Sequence, residues 1–353
     1  MGLGSIRNRA GRVVRALGVT IVLAAAFACG APELREPVAL SLLALGDTGA
    51  RPDNPPRVAT QLAVGAALAA EDRRRPIDAL VLLGDNFYDF GLRQDELVAR
   101  VRANLVRPYC RFLALSAPRS AEVASACEIA PGERHPVPLW AVLGNHDYVT
   151  PGSDSLQRES VPLFLANWQM PAPPAAAVEL GHGVSLVLFD SDPVFRGAAP
   201  LELAGALRAA RGPWRILIAH HPIAAERTNA RETYARFRAL VVSEIAAAGV
   251  PVQLYVSGHE HNLQALVMEP PAPPLHVIAG GGSGARSPTA DNPRRLAGFA
   301  SPGFARIDLA GEEGHERLVV TLMRVPAAVL RVLGPSRIAA RYSVDRAGRV
   351  REE

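Results

Sequence analysis

Short apolar runs recur along the chain, and they end at polar or glycine-containing corners. Seven of these runs have the length and the β-branched content of buried strands. They lie at 38–45, 77–83, 138–143, 184–189, 214–219, 252–256 and 275–279. Helical periodicity separates several of them, as at 58–71 and at 231–248, the latter followed by Gly249 and Pro251. Strands that alternate with helices predict a layered α/β domain with a largely buried central sheet.

The organisation of the chain is simple, because no internal repeat and few linkers are visible. Proline-rich stretches at 171–174 and 270–274 predict surface loops, and 114–136 is typical of a long insertion. We therefore expect one domain from about residue 37 to about residue 328. An arginine-rich tail, 329–353, follows it, and the sequence assigns no function to that tail.

The first 28 residues predict an export signal. Arginines precede an apolar run at 17–28, which is short for a membrane span, and Ala26-Phe27-Ala28 fits a cleavage pattern. Cys29 follows directly, so the segment also resembles a bacterial lipobox. Three outcomes stay open: lipid attachment at Cys29, a cleaved free form and an uncleaved anchor. In each case we expect an exported protein that is periplasmic, secreted or held at the cell surface.

The charge balance argues against a nucleic-acid partner. The net charge of +4 equals the charge of the arginines in the export segment, so the remainder of the chain is neutral overall. A nucleic-acid-binding domain would keep a basic patch in its folded part. We expect none, and we expect contact with a membrane only through the N-terminal segment or a lipid.

Cysteine usage follows from the predicted compartment. Apart from Cys29, the chain contains Cys110 and Cys127. In an oxidising compartment this pair favours a disulfide, whereas two free cysteines are the alternative. Two thiols alone make a poor zinc site.

Candidate chemistry lies where five of the predicted strands end. The polar residues at these corners are Asp47, Asp85, Tyr88, Asn145, His146, His220, His221, His259 and His261. Strand ends of open α/β sheets are where ligand sites form. Oxygen donors mixed with imidazoles suit iron, zinc or manganese, and the set is too large for one ion. With a shared carboxylate it can hold two ions about 3.5–4 Å apart, the spacing used in two-metal phosphate chemistry.

These corners resemble a known family. Gly-Asp-Thr-Gly at 46–49, Gly-Asp-Asn-Phe-Tyr at 84–88, Gly-Asn-His-Asp at 144–147, His-His-Pro at 220–222 and Gly-His-Glu-His at 258–261 match, in order, the motifs of calcineurin-like metallophosphoesterases. The chain resembles most the purple acid phosphatases, in particular their small tartrate-resistant, mammalian-type branch. Most superfamily members carry a metal-binding histidine where Gly49 stands. Purple acid phosphatases supply a tyrosine instead, and Tyr88 matches it.

The resemblance implies a fold and a set of roles. It implies β-sandwich sheets flanked by helices, with the metal site at the carboxyl ends of strands. One ion, Fe(III), would be bound by Asp47, Tyr88 and His261. The second ion, Fe(II), Zn(II) or Mn(II), would be bound by Asn145, His220 and His259. Asp85 would bridge the two ions.

Other residues would act around the metals. His146 would orient the substrate phosphate or protonate the leaving oxygen. The family's His-x-Pro pattern favours His220 as the ligand over His221, which would then lie just behind it. Asp147 would orient the loop, and Glu226 is a candidate for an acid near the leaving group.

The function implied is that of an exported acid phosphatase, which hydrolyses small phosphate monoesters through a metal-bound hydroxide. One alternative keeps the metals and changes the substrate to a phosphodiester, a nucleotide or a pyrophosphate. A second alternative is a non-catalytic cell-surface protein that binds metal or phosphate. The natural substrate, the second metal and the oligomeric state do not follow from the sequence.

Overall fold

The computed structural model describes Met1 and residues 34–225, 230–289, 292–326 and 336–353. The predicted export segment, Cys29 and Glu226 lie outside the described residues. Within the described ranges, no helix is both long enough and apolar enough to cross a membrane.

Fifteen strands are assigned within these ranges. In chain order they are β1 (Val38–Leu45), β2 (Ala79–Leu83), β3 (Leu139–Val142), β4 (Trp168–Gln169), β5 (Ala175–Gly181), β6 (Val184–Phe189), β7 (Trp214–Ile218), β8 (Leu254–Ser257), β9 (Leu263–Val267), β10 (Leu275–Ala279), β11 (Arg295–Phe299), β12 (Gly303–Ala310), β13 (Arg317–Arg324), β14 (Arg337–Val344) and β15 (Val350–Glu352).

Two long helices and several short ones accompany the strands. The α-helices are α1 (Pro55–Arg74), α2 (Leu97–Val101), α3 (Arg107–Tyr109), α4 (Ser153–Ser155), α5 (Asp192–Phe195), α6 (Ala204–Ala209) and α7 (Arg231–Ala248). Single π-helical turns lie at Arg102–Val106 and Leu156–Ser160. Short 3₁₀ turns lie at Cys110–Phe112, Ser120–Glu122, Ala124–Ala126, Pro131–Glu133, His146–Tyr148 and Val161–Leu163.

The strands form two sheets. The eight-stranded sheet has the order β15-β14-β13-β12-β1-β2-β3-β4, and the seven-stranded sheet has the order β11-β9-β10-β8-β7-β6-β5. Strands β1 to β4 run parallel to one another, as do β6, β7, β8 and β10. At the carboxyl end of β1, the Gly46 amide donates to the Ala279 carbonyl across 2.8 Å, which joins the two sheets at that end.

The core consists of three apolar layers. In β1, Leu43 and Leu45 pack on the α1 side, whereas Leu42 and Ala44 pack between the sheets, as the two-residue period of a strand requires. On the other side of the second sheet, α7 buries Phe237 and further apolar residues. The predicted α/β class, with two layered sheets flanked by helices, is therefore confirmed.

The seven predicted strands are all present, with the bounds of 38–45, 184–189 and 275–279 unchanged. Strands β12 and β13 were not predicted. In β12 the charged residues Arg306 and Asp308 interrupt the apolar pattern, whereas the apolar run of β13 between Arg317 and Arg324 was overlooked. In the folded chain Arg306 and Asp308 are buried and paired with each other, so they can occupy a strand within the buried sheet.

The C-terminal segment differs from our expectation of a tail. Its described part, 336–353, contributes β14 and β15, and β14 pairs antiparallel with β13 along its length. Arg341, 4% exposed, donates to the Thr321 hydroxyl across 3.1 Å within this pairing. The sheet therefore extends past the expected domain boundary at about 328. The arginines that interrupt the apolar pattern of this segment lie in the strands of that sheet.

The long insertion is fastened to the body at two places. Cys110 and Cys127 form a disulfide, with their Cα atoms 5.3 Å apart. The Asp72 carboxylate, at the end of α1, accepts from Arg111 across 2.5 Å, and it contacts the His135 ring across 3.0 Å. The disulfide thus ties the insertion to the segment that precedes it, and the His135 contact ties it to the last turn of α1.

A buried polar network connects α1 with the first sheet. Arg306, 1% exposed, donates to the Asp308 carboxylate across 2.8 Å, to the Ser41 hydroxyl across 2.7 Å and to the Arg75 carbonyl across 3.0 Å. Arg75 itself donates to Asp308 across 3.1 Å. Burial lowers the pKa of Arg306, but its paired carboxylate favours the charged form. The network therefore satisfies charges that would otherwise be costly to bury.

Arg306→Leu should lower the free energy of unfolding by about 3–5 kcal/mol, because it leaves the buried Asp308 carboxylate without its closest cation. Chemical denaturation measures the loss. The control is Arg93→Leu, which removes an exposed pair with Asp95 and should change stability by less than about 1 kcal/mol. Equal effects of the two substitutions would contradict the role given to the network.

Candidate metal centre

The loops after β1, β2, β3, β7 and β8 meet at one end of the sandwich and carry the predicted site residues. Four site residues have a left-handed backbone, which residues other than glycine rarely adopt. The φ values are 60° at Asp47, 54° at Asp85, 70° at His259 and 45° at His261. Such backbone conformations persist only where the surrounding structure enforces them. Here they turn the side chains of different strands toward a common point.

Close approach at this point also requires glycine. A Cβ atom at Gly144 would lie 2.2 Å from the Asp85 Oδ1 atom, and one at Gly258 would lie 2.7 Å from the Asp47 Oδ2 atom. Both positions are therefore restricted to glycine by the carboxylates beside them.

The first group of donors joins three motifs. The Tyr88 hydroxyl lies 2.8 Å from Asp47 Oδ1 and 2.9 Å from His261 Nε2, and these last two atoms are 3.1 Å apart. The Asp47 carboxylate is 1% exposed, and its Oδ2 atom accepts from the His259 amide across 2.8 Å. Burial opposes ionisation of Asp47, but the charge and hydrogen bond of His261 hold its pKa below the ordinary value.

The second group brings together one amide and two imidazoles. Asn145 Oδ1 lies 3.2 Å from His220 Nε2 and 3.0 Å from His259 Nδ1, and the two ring nitrogens are 3.2 Å apart. His220 Nδ1 lies 2.8 Å from the Leu83 carbonyl, which can only accept a hydrogen bond. When the ring is neutral, its proton is therefore on Nδ1, and Nε2 has a lone pair directed at the Asn145 amide oxygen. Such an arrangement favours a cation between them.

Asp85 lies between the two groups. Its Oδ1 atom accepts from the His146 amide across 2.9 Å and lies 3.6 Å from His220 Nε2. Asp47, Asp85 and His220 can bring one donor atom each within 4.8 Å of one another, a geometry that could hold a metal ion. The bridging of two ions by Asp85 stays a prediction from the family resemblance.

His146 lies at the accessible side of the site. Its Nδ1 atom lies 2.6 Å from the Asp89 carbonyl, and its ring packs edge-on against Tyr88 with the centroids 4.6 Å apart. Because the carbonyl can only accept, Nδ1 carries a proton, whereas Nε2 makes no hydrogen bond to any of the described residues. His146 is also half-buried rather than sealed in the core.

His221 is close to the second group but is held differently. Its Nδ1 atom lies 2.9 Å from the Ser191 hydroxyl, and its ring stacks on Phe195 with the centroids 4.1 Å apart. Burial lowers its pKa well below the ordinary value, so the ring is neutral. A donor atom of His221 also lies within 4.8 Å of donors on His220 and His259. Proximity alone therefore does not decide between His220 and His221 as a donor in this group. The direction of His220 Nε2 toward the Asn145 amide oxygen favours His220.

Asp147 joins two site loops instead of entering the donor groups. It is fully buried, and its two oxygens accept from the amides of Asn86, Phe87 and Gly144 and from the Gln157 side chain, across 2.9–3.1 Å. Burial, followed by the charge of Asp85, raises its pKa to about 6. Asp147 therefore fixes the loop after β2 against the loop after β3.

A family comparison agrees with this arrangement. The family model for calcineurin-like phosphoesterases matches residues 40–263, which span the five loops of the site. The chain belongs to the calcineurin-like phosphoesterase family. The family is dimetal-dependent, and the described residues of this member offer two groups that could hold a metal ion.

Solved structures share the fold at low sequence identity. The chain is similar to GAP50, described as the anchor in the inner membrane complex of Plasmodium, with 16% identity, a TM-score of 0.55, and coverage of 81% of this chain and 84% of that one. It is also similar to PhoD, with 12% identity, a TM-score of 0.54, and coverage of 90% and 72%. No curated protein sequence matches the chain.

Sequence reasoning missed the residues that support the donors. Ser191 and Phe195 hold His221, the Asp89 carbonyl orients His146, and Arg57 covers the Tyr88 ring. Most of these contacts depend on loops that meet only in the folded chain. Of these residues, only Arg57 could have been noticed in the sequence, because a cation in the first turn of a predicted helix opposes the helix dipole.

Asp147→Asn should lower the free energy of unfolding of the metal-free protein by about 1–3 kcal/mol. Each carboxylate oxygen accepts two N–H groups, so an amide nitrogen in place of one oxygen leaves two donors unsatisfied. Chemical denaturation measures the change. Asp95→Asn, at a side chain 66% exposed, is the control and should be nearly neutral. Unchanged stability of the Asp147 variant would contradict its role in fixing the two loops.

Proposed function

We propose that this calcineurin-like phosphoesterase is an exported acid phosphatase of the purple acid type, which hydrolyses small phosphate monoesters with Fe(III) and a divalent Fe, Zn or Mn ion. The observation that carries the proposal is the position of the Tyr88 hydroxyl, 2.8 Å from Asp47 Oδ1 and 2.9 Å from His261 Nε2. Glycine at position 49 offers no donor, and a Cβ atom there would lie 2.2 Å from the Asn86 carbonyl oxygen, so Tyr88 supplies the third donor of that group.

The donor chemistry fits two different ions. Burial and the charges of Asp47 and Asp85 raise the pKa of Tyr88 well above its ordinary value, so only a strongly charged cation would hold it as phenolate. A trivalent hard ion suits that position. The neutral amide and imidazoles of Asn145, His220 and His259 add little negative charge, which suits a divalent ion.

Ions held by these donors would supply the positive charge that neutralises phosphate oxygens and activates a water molecule. The chain's own residues then have distinct tasks. Asp85 holds the two groups of donors in a fixed relation, and Asp147 keeps their loops in place. His146, with Nδ1 tied to the Asp89 carbonyl, presents Nε2 as the group that orients the phosphate or protonates the leaving oxygen. Hydrolysis of the ester in this way requires no covalent phosphoenzyme intermediate.

Export is supported by the sequence of the first 28 residues and by the Cys110–Cys127 disulfide, which persists in oxidising compartments. Lipid attachment at Cys29 remains one form of this proposal. We propose no nucleic-acid partner, because the chain beyond the export segment is neutral overall.

Two other functions use the same fold. A phosphodiester, nucleotide or pyrophosphate hydrolase would keep the metals, and the ratio of turnover on a monoester to turnover on its bis-ester distinguishes it. A non-catalytic binding protein is the second alternative, and one structural neighbour is described as an anchor. Fold similarity does not choose among functions. The half-buried His146 beside the donors favours catalysis.

The protein, purified after export with its metals intact, should show a visible phenolate-to-Fe(III) charge-transfer band. Tyr88→Phe should abolish the band, because it removes the only atom of that side chain able to bind the ion. Tyr109→Phe, at a buried tyrosine packed in the core on the α1 side, should leave the band unchanged. A colourless protein with stoichiometric zinc or manganese would refute the Fe(III) assignment and would favour the phosphodiesterase alternative.

His146→Ala should lower kcat on a phosphate monoester by about 10²–10⁴-fold while metal content stays unchanged, since the side chain acts on the substrate and not on the ions. Elemental analysis and steady-state kinetics measure the two quantities. His182→Ala, at an exposed turn between β5 and β6, is the control and should keep full turnover. Unaltered turnover in the His146 variant would show that its assigned role is incorrect.

A further inference from the structure

Arg57 contacts the site from a helix that carries none of the proposed metal ligands. It is the third residue of α1, and its guanidinium carbon lies 4.0 Å from the centroid of the Tyr88 ring. At this distance the guanidinium lies against the ring face, where stacking and cation–π attraction both operate. The Tyr88 side chain is 1% exposed, so Arg57 forms part of the wall that encloses it.

The same guanidinium reaches two other segments of the site. Its Nη2 atom donates to the Ser283 hydroxyl across 3.1 Å, and Ser283 donates in turn to the Asp47 carbonyl across 2.6 Å. Its Nη1 atom lies 3.7 Å from the Asp89 carboxylate, next to Tyr88 in the chain. Arg57 thus bridges the loop after β1, through Ser283, and the loop after β2.

The position of Arg57 in α1 is locally unfavourable. Asn54 caps the helix by accepting from the Arg57 amide across 3.4 Å, and the first turn contains no acidic residue. The positive end of the helix dipole disfavours a cation there. A residue that opposes a local preference is expected where tertiary contacts give it a purpose.

We propose that Arg57 is a positioning residue for Tyr88: its planar guanidinium, fixed by Ser283 and Asp89, holds the phenol ring in the orientation that places its oxygen between Asp47 and His261. The consequence is tighter retention of the ion on the Tyr88 side. This consequence rests on the proposed function, whereas the positioning of the ring can be tested without any metal.

The planar fork should matter and not the charge alone. Lysine keeps the charge but cannot lie flat on the ring while it also reaches both partners. Methionine keeps apolar contact with the ring and loses the charge and the donors. Arg57→Lys and Arg57→Met should therefore behave alike. Arg51→Met is the matched control, because Arg51 lies in the preceding loop, pairs with Asp53 across 3.0 Å and has its ring contact with Phe90, not Tyr88.

The first measurement is fluorine NMR of metal-free, fluorotyrosine-labelled protein, with the Tyr88 resonance assigned by its loss in Tyr88→Phe. We expect one sharp Tyr88 line in the unsubstituted protein and in Arg51→Met. Both Arg57 variants should shift, split or broaden that line while the other tyrosine lines stay in place. An unchanged Tyr88 line in both variants would overturn the proposal, and so would full recovery in Arg57→Lys, since charge would then suffice.

The second measurement follows release of the bound metals into excess chelator by elemental analysis. Loss of an outer contact to a metal ligand typically weakens retention about 10–100-fold, so one ion should leave at least about tenfold faster from both Arg57 variants than from Arg51→Met. A changed Tyr88 line with unchanged release would overturn the link to the metal. If the unsubstituted protein retains no metal after export, the proposed function fails, and the NMR result still decides the positioning of Tyr88.

Discussion

The site depends on a crowding of electron-rich atoms that the rest of the fold must hold together. Carboxylate oxygens, a phenol, an amide oxygen and imidazole lone pairs from five loops lie about 3 Å apart in a largely buried place. Such atoms stay close only where a shared proton, as between Tyr88 and Asp47, or a cation lies between them. Left-handed backbone at Asp47, Asp85, His259 and His261 adds further unfavourable energy, which the surrounding structure has to offset.

The two sheets provide that support. Their parallel strands end side by side, and a layer of apolar residues fills the space between the sheets, so the loops begin from a nearly rigid edge. The Gly46 amide bonded to the Ala279 carbonyl joins the sheets where the site forms. Farther away, the buried Arg306 network fixes α1 to the first sheet, and α1 in turn presents Arg57 to Tyr88.

Cross-links between loops turn this edge into a defined geometry. Asp147 gathers amides from two loops, His146 is oriented by the Asp89 carbonyl, and His220 by the Leu83 carbonyl. In each case a backbone group decides the direction of a side chain. The directions of these three side chains therefore come from hydrogen bonds to the backbone, which do not depend on the identity of most neighbouring residues.

The sequence by itself determined the strand–helix alternation, the order of the five polar corners and the family, because apolar periodicity and short motifs are local signals. It also indicated Asp85 as the residue between two donor groups. Only the tertiary structure decided that β12 to β15 complete the first sheet and that Arg57 covers Tyr88. Buried charges such as Arg306 and Asp308 look like surface residues in a linear sequence. Their pairing, like the contact of Arg57 with Tyr88, exists only once distant segments pack together.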